Sequence, residues 1–139
     1  MSRPAGYSGT PLQRKLGIGE GDAVALIGAP GWLEDLLAEP PGVAEVHADL
    51  DGDALFDVIV VFVSWAAELE AEFGRLRDRM APACGLWVAW PKKASKVPTD
   101  MSDHVVRAVA LPVGLVDNKV CAIDETWTGL RLVWRVERR

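Results

Sequence analysis

Two cysteines and two histidines in 139 residues leave little material for metal or redox chemistry. Cys84 and Cys121 form no CxxC pair and neither stands beside a histidine, so no metal site is expected and each thiol reads as a small buried hydrophobe. No GxSxG, HExxH, Walker or EF-hand pattern occurs, which removes the hydrolase, zinc-protease, P-loop and calcium readings those motifs carry. Long apolar runs are missing as well. The longest, Val58 to Val63, has the length of a strand and falls far short of the roughly 18 residues of a membrane span. No apolar stretch follows Met1-Ser2-Arg3, so a cytoplasmic location is expected. Basic residues are outnumbered 15 to 20, for a net charge of −5. Neither nucleic acid nor a membrane surface is therefore expected as a partner.

What is present is the composition of one compact domain, 50% hydrophobic and 25% charged, with enough chain for a single core. The organising stretch is Asp22 to Gly31, DAVALIGAPG. Its apolar, strand-forming run over Ala23–Ile27 ends in a turn built from Gly28, Ala29, Pro30 and Gly31, and a helix is expected over Gly31–Ala38. Before it, Thr10-Pro11 is a helix start and Gly17 a natural stop. After it, a short strand is expected over Ala44–Ala48, then an acidic turn over Asp49–Asp53 and a central strand over Phe56–Val63. A long helix is predicted over Trp65–Met80, capped by Ser64 and stopped by Pro82, then a strand over Gly85–Trp90 and a helix over Ser102–Val109. Val116–Ile123 and Leu130–Val136 read as an antiparallel hairpin joined by residues 124–129. The expected domain organisation is an N-terminal arm with a short helix over 1–21 and one α/β domain over 22–139. The order of elements implies a mainly parallel sheet with helices on both faces and an antiparallel edge.

Ligands of such sheets bind beyond the carboxyl ends of the strands, near the point where strand order reverses. The residues expected there are Gly28, Gly31, Ser64, Lys92 and Lys93, with Asp49 closing the second strand. Glycines admit a ligand to the backbone, helix N-termini offer N–H groups and the lysines supply charge, so a small anionic ligand suits the edge. Turn geometry alone also accounts for the glycines, and a solvated loop for the lysines. A second polar set, Asp117, Asn118, Asp124 and Glu125, flanks the penultimate strand; turn chemistry and edge protection explain it as readily as a site does. His47 and His104 have no partner visible in sequence and read as structural or exposed. Of the six tryptophans, Trp87, Trp90 and Trp134 are expected in the core, and Trp32, Trp65 and Trp127, at element ends, are interface candidates. The terminal hairpin leaves room for a homo-oligomer.

Three segments carry a resemblance to the Rossmann-like S-adenosylmethionine-dependent methyltransferases: Val24-Ala25-Leu26-Ile27-Gly28-Ala29-Pro30-Gly31 at the Gly-rich first turn, Phe56-Asp57-Val58 opening that family's fourth strand, and Met80 to Val88 at its loop and fifth strand. The whole chain also resembles a group of small bacterial proteins of unassigned activity, a domain of unknown function. The resemblance implies a reduced Rossmann-like, methyltransferase-like three-layer sandwich, and S-adenosylmethionine as a cofactor to consider. Three departures bear on function. Leu26 stands where the family carries an acid, Pro30 interrupts its third glycine, and only Asp49 to Leu55 separates Ala48 from Phe56, too few residues for the family's intervening helix and strand. These favour a non-catalytic domain that binds a small ligand or a partner; the alternative is an active small-molecule methyltransferase.

Overall fold

The computed structural model describes residues 11–38 and 45–138. Six strands form one sheet: β1 (Ala23–Ile27), β2 (Glu45–His47), β3 (Phe56–Phe62), β4 (Met80–Pro91), β5 (Leu115–Ala122) and β6 (Trp127–Trp134). Their spatial order is β2-β1-β3-β4-β6-β5. The first four are parallel, β6 runs antiparallel to β4, and β5 antiparallel to β6. Helices α1 (Leu12–Lys15) and α2 (Gly31–Ala38) contribute Leu12, Leu16, Leu33 and Leu37 to the core on one face; α3 (Ala66–Asp78) and α4 (Asp103–Ala110) contribute Leu69, Phe73, Leu76 and Val106 on the other. This is the mainly parallel sheet with an antiparallel edge that the order of elements implies, and the reduced Rossmann-like sandwich that the resemblance implies.

Alternation along β1 explains how the sheet does without a helix between β2 and β3. Val24 and Leu26 face the α1/α2 layer, whereas Ala23 and Ala25 face the α3/α4 layer. Two small side chains leave space there for the connecting segment, whose Leu50 is 3% exposed and belongs to the same core as Ala25 and Phe56. Residues 48–55 must return from the carboxyl edge to the amino edge across β1. Eight extended residues reach about 27 Å, and a five-residue strand is only about 17 Å long, so the crossing closes.

Several boundaries differ from those read in the sequence. The long helix ends at Asp78, and Met80 already belongs to β4. Pro82 does not stop the helix. It lies where the pairing of β3 with β4 jumps from Phe56↔Met80 to Val58↔Gly85, a bulge that needs no N–H from residue 82. Ser64 does not cap α3: the N-cap is Trp65, and Glu68 Oε1 accepts from the backbone N–H of both Ser64 (2.9 Å) and Trp65 (3.0 Å). The hairpin turn is shorter than expected because β6 begins at Trp127, and Val136 is 77% exposed beyond its end. Val24, Val58 and Trp87, by contrast, sit in the core as their strands require, and Cys84 and Cys121 are buried free thiols. Thr10 and Ala44 lie outside the described residues.

Three long-range side-chain bonds tie the N-terminal segment to the rest of the domain. Trp87, fully buried in β4, donates its indole N–H to the Leu16 carbonyl at 2.9 Å. Gln13 Nε2 adds a bond to the Leu36 carbonyl at 3.3 Å, and Lys119 Nζ one to the Lys15 carbonyl at 3.1 Å. The short α1 is thereby held over β5, near the open edge of the hairpin.

Candidate functional site

Chain order reverses between β1 and β3: β1 leads outward to β2, and β3 leads the other way to β4. The carboxyl ends of these two strands therefore diverge and leave a crevice. A cavity of about 260 Å³ occupies it, lined by Ile27, Asp49 and Val61–Val63, with Glu68, Glu72 and Arg75 of α3 along one side. A second cavity of about 140 Å³ lies across β1, between the turn Gly28-Ala29-Pro30, Glu34 of α2, Val46 and His47 of β2 and the following Ala48. The two flank the end of β1, where DAVALIGAPG was expected to place a ligand.

Gly28 is required by the turn. Its φ is +68°, and a Cβ there would lie 3.1 Å from the Phe62 carbonyl oxygen, so the turn presses on the end of β3. Gly31 is different: its φ is not in the left-handed region, nothing lies within 4 Å of an added Cβ, and it opens α2. Asp49, an exposed residue, follows β2 and borders the larger cavity; its Oδ1 accepts the Asp51 N–H at 3.0 Å. Edge-to-face contact between Phe62 and Trp127, centroids 5.0 Å apart, closes the α1/α2 side of the same edge.

The charge of the crevice differs from the sequence expectation. Glu34, Asp49, Glu68 and Glu72 border the two cavities, and the one cation among these side chains, Arg75, is bonded to Glu72 at 3.0 Å. At the α3 N-terminus three N–H groups are already taken by carboxylates: those of Ser64 and Trp65 by Glu68, and that of Ala66 by Asp100 Oδ1 at 2.7 Å. Lys92 and Lys93 line neither cavity. They belong to a separate loop on the same edge, with the Lys92 N–H bonded to the Thr126 carbonyl at 2.8 Å.

The second polar set does not assemble. Asp117 and Asn118 sit at a bulge in β5 opposite Leu132 and Arg131, about 20 Å along the strand from Asp124. Asp117 accepts from Arg107 at 3.1 Å, and this hydrogen bond, before any other influence, holds the Arg107 guanidinium in its charged form. Asp124 is 3% exposed, and its Oδ1 takes the N–H groups of Thr126 and Trp127, both at 2.8 Å. It is a turn-former for the hairpin; Glu125 beside it is exposed. His47 bonds Glu45 at 3.0 Å and lies edge-on to Phe56. Burial pushes the Cys84 thiol up to about 12, helped by the Asp57 charge and opposed by Arg131. Among the described residues no group of His, Cys, Asp and Glu is arranged to hold a metal, and no helix is long and apolar enough to cross a membrane.

No family model and no curated protein matches the chain. Solved structures do. A SAM-dependent methyltransferase from Aquifex aeolicus superposes with a TM-score of 0.59 at 15% identity, covering 87% of this chain and 86% of that one. Magnesium protoporphyrin IX methyltransferase from Synechocystis PCC 6803, solved with bound SAH, gives 0.62 at 11% identity over 84% of this chain and 75% of its own. A ribosomal protein L11 methylase from Lactobacillus delbrueckii subsp. bulgaricus gives 0.59 at 13% identity over 84% and 71%. The chain has the Rossmann-like methyltransferase fold.

Proposed function

We propose that the chain is a methyltransferase-like binding domain that holds a nucleoside-bearing small molecule at the carboxyl edge without transferring a group from it. The observation that carries this reading is the pair of cavities flanking the end of β1 at the point where strand order reverses. Asp49, an exposed carboxylate that follows β2 and borders the larger cavity, suits the vicinal hydroxyls of a ribose. The Gly28 turn admits a ligand to the backbone, and the surrounding carboxylates favour a guest with a positive centre over one with a phosphate. The small anionic ligand that the sequence suggested is thus reassigned away from the crevice.

The non-catalytic part rests on what the edge lacks for rigid positioning. Group transfer needs reactants held in a near-attack geometry. Here β2 is, among the described residues, a three-residue edge strand with no further βα unit beside it, Leu26 is apolar, and the carboxylates of Glu68 and Asp124 are bonded to backbone. A second reading, an active S-adenosylmethionine-dependent enzyme, is favoured by the ligand of a fold neighbour, which was solved with bound SAH. Incubation with methyl-labelled S-adenosylmethionine and a panel of small acceptors separates the two. We expect binding and no label transfer; turnover above the protein-free rate would replace the first reading by the second.

A further inference from the structure

Beside the crevice, the same edge carries a platform of opposite charge. Lys92, Lys93 and Lys96 fall within five residues of a chain whose net charge is −5. Among the described residues none of the three makes an ion pair, although the arginines at 75, 77 and 107 all do. The loop that carries them is built. Ser95 N–H and Oγ–H both reach the Lys92 carbonyl, Val97 N–H reaches Ser95 Oγ, and Thr99 Oγ1 donates to the Ser64 carbonyl at 2.5 Å. The last bond, with Asp100 on the Ala66 N–H, pins the loop against the start of α3 and so beside Trp65. Trp65 is 47% exposed at the start of α3, and Val97, which follows Lys96 in the chain, is 42% exposed.

From this we infer that the Lys92–Val97 loop and Trp65 form a docking surface for an acidic polypeptide segment that also carries an apolar side chain. The lysines border neither cavity, and a small anion gains little affinity on an open surface. An exposed tryptophan and unpaired lysines on one edge are, by contrast, groups that protein interfaces use, with the ring as anchor and the charges setting sign and encounter rate. Nucleic acid fits less well, since three lysines would release few counterions and the acidic body of the domain repels a long polyanion. Ordering the loop beforehand lowers the entropy lost on docking.

The test uses the full chain and a synthetic octapeptide of glutamates and aspartates around a central Leu-Phe, with its Gln/Asn counterpart and a single-stranded oligonucleotide as comparisons. Nuclear magnetic resonance titration should shift the amides of residues 64–66, 92–97, 99 and 100, with Kd weakening roughly tenfold between 50 and 300 mM salt. Lys92→Glu with Lys93→Glu and Lys96→Glu should abolish the effect, and Trp65→Ala should weaken it roughly tenfold; thermal melts establish that each variant is folded. Absence of shifts, equal shifts with the neutral peptide, or equal affinity for the oligonucleotide would overturn the proposal. So would concentration-dependent self-association through the same residues, which would make a second copy the occupant.

Discussion

Replacing glycine by alanine at positions 28 and 31, three residues apart in one turn, should change stability in opposite directions. At Gly28 the backbone sits at φ +68°, where an L side chain costs about 1–2 kcal/mol. The added methyl also lies 3.1 Å from the Phe62 carbonyl oxygen, so backbone must give by a few tenths of an ångström. Alanine's stiffer unfolded chain returns about 0.4–1 kcal/mol, which leaves a net loss of about 1–2 kcal/mol. In a domain of this size that lowers Tm by roughly 3–6 °C. At Gly31 neither penalty exists, and alanine in the first turn of α2 should gain up to about 0.5 kcal/mol. Guanidinium unfolding followed by tryptophan fluorescence measures both, and adenosine-nucleoside affinity measured alongside should fall in Gly28→Ala and hold in Gly31→Ala. A Gly28→Ala protein as stable as the parent, or two shifts of the same sign, would refute the account of the turn.

Trp87→Phe should cost about 2–4 kcal/mol in the same assay, because it strands the Leu16 carbonyl beneath the sheet and opens space beside α1; α1 should become protease-sensitive first. Asp124→Ala should cost about 1–3 kcal/mol, and Asp124→Asn most of that less, since the amide oxygen can still accept from Thr126 and Trp127. Alanine at Arg107 should leave Tm almost unchanged, its two ion pairs being partly exposed and screened by solvent. Cys84, raised to about 12 in the folded state from 9.0, keeps its proton where the unfolded chain has lost it. Stability should therefore fall as pH rises from about 9 to 12, by at most about 1.4 kcal/mol per unit from this thiol, and Cys84→Ser should flatten that limb of the pH profile.

Much of the sheet was legible because its signals are local. The β-branched run of β3 and the DAVALIGAPG turn have periods and punctuation that tertiary contacts reinforce, and the missing βα unit follows from counting residues between His47 and Phe56. The differences fall where a partner, and not the residue type, decides the role. Pro82, Ser64 and Trp127 are placed by Phe56 and Val58 across a bulge, by Glu68 one turn on and Asp100 at the helix start, and by Pro91 on the neighbouring strand β4. The polarity of the crevice was hidden for the same reason. Glu68, Glu72 and Arg75 read as the charged face of a helix, and only the packing of α3 over β3 brings that face to the edge of the cavity. Lys92 and Lys93, placed on the correct edge by strand order, turn out to stand beside the crevice instead of lining it.

Titration of the isotope-labelled chain with S-adenosylhomocysteine tests the central claim most directly, since each amide reports its own environment. The account predicts saturable shifts centred on Gly28, Ala29, Ala48, Asp49 and Val63, with a Kd of about 0.1–1 mM, lost in Gly28→Ala and weakened in Asp49→Ala. Shifts confined to other parts of the chain, or none at saturating ligand, would contradict a site at the end of β1. A submicromolar Kd accompanied by methyl turnover of S-adenosylmethionine would contradict a binding domain without catalysis.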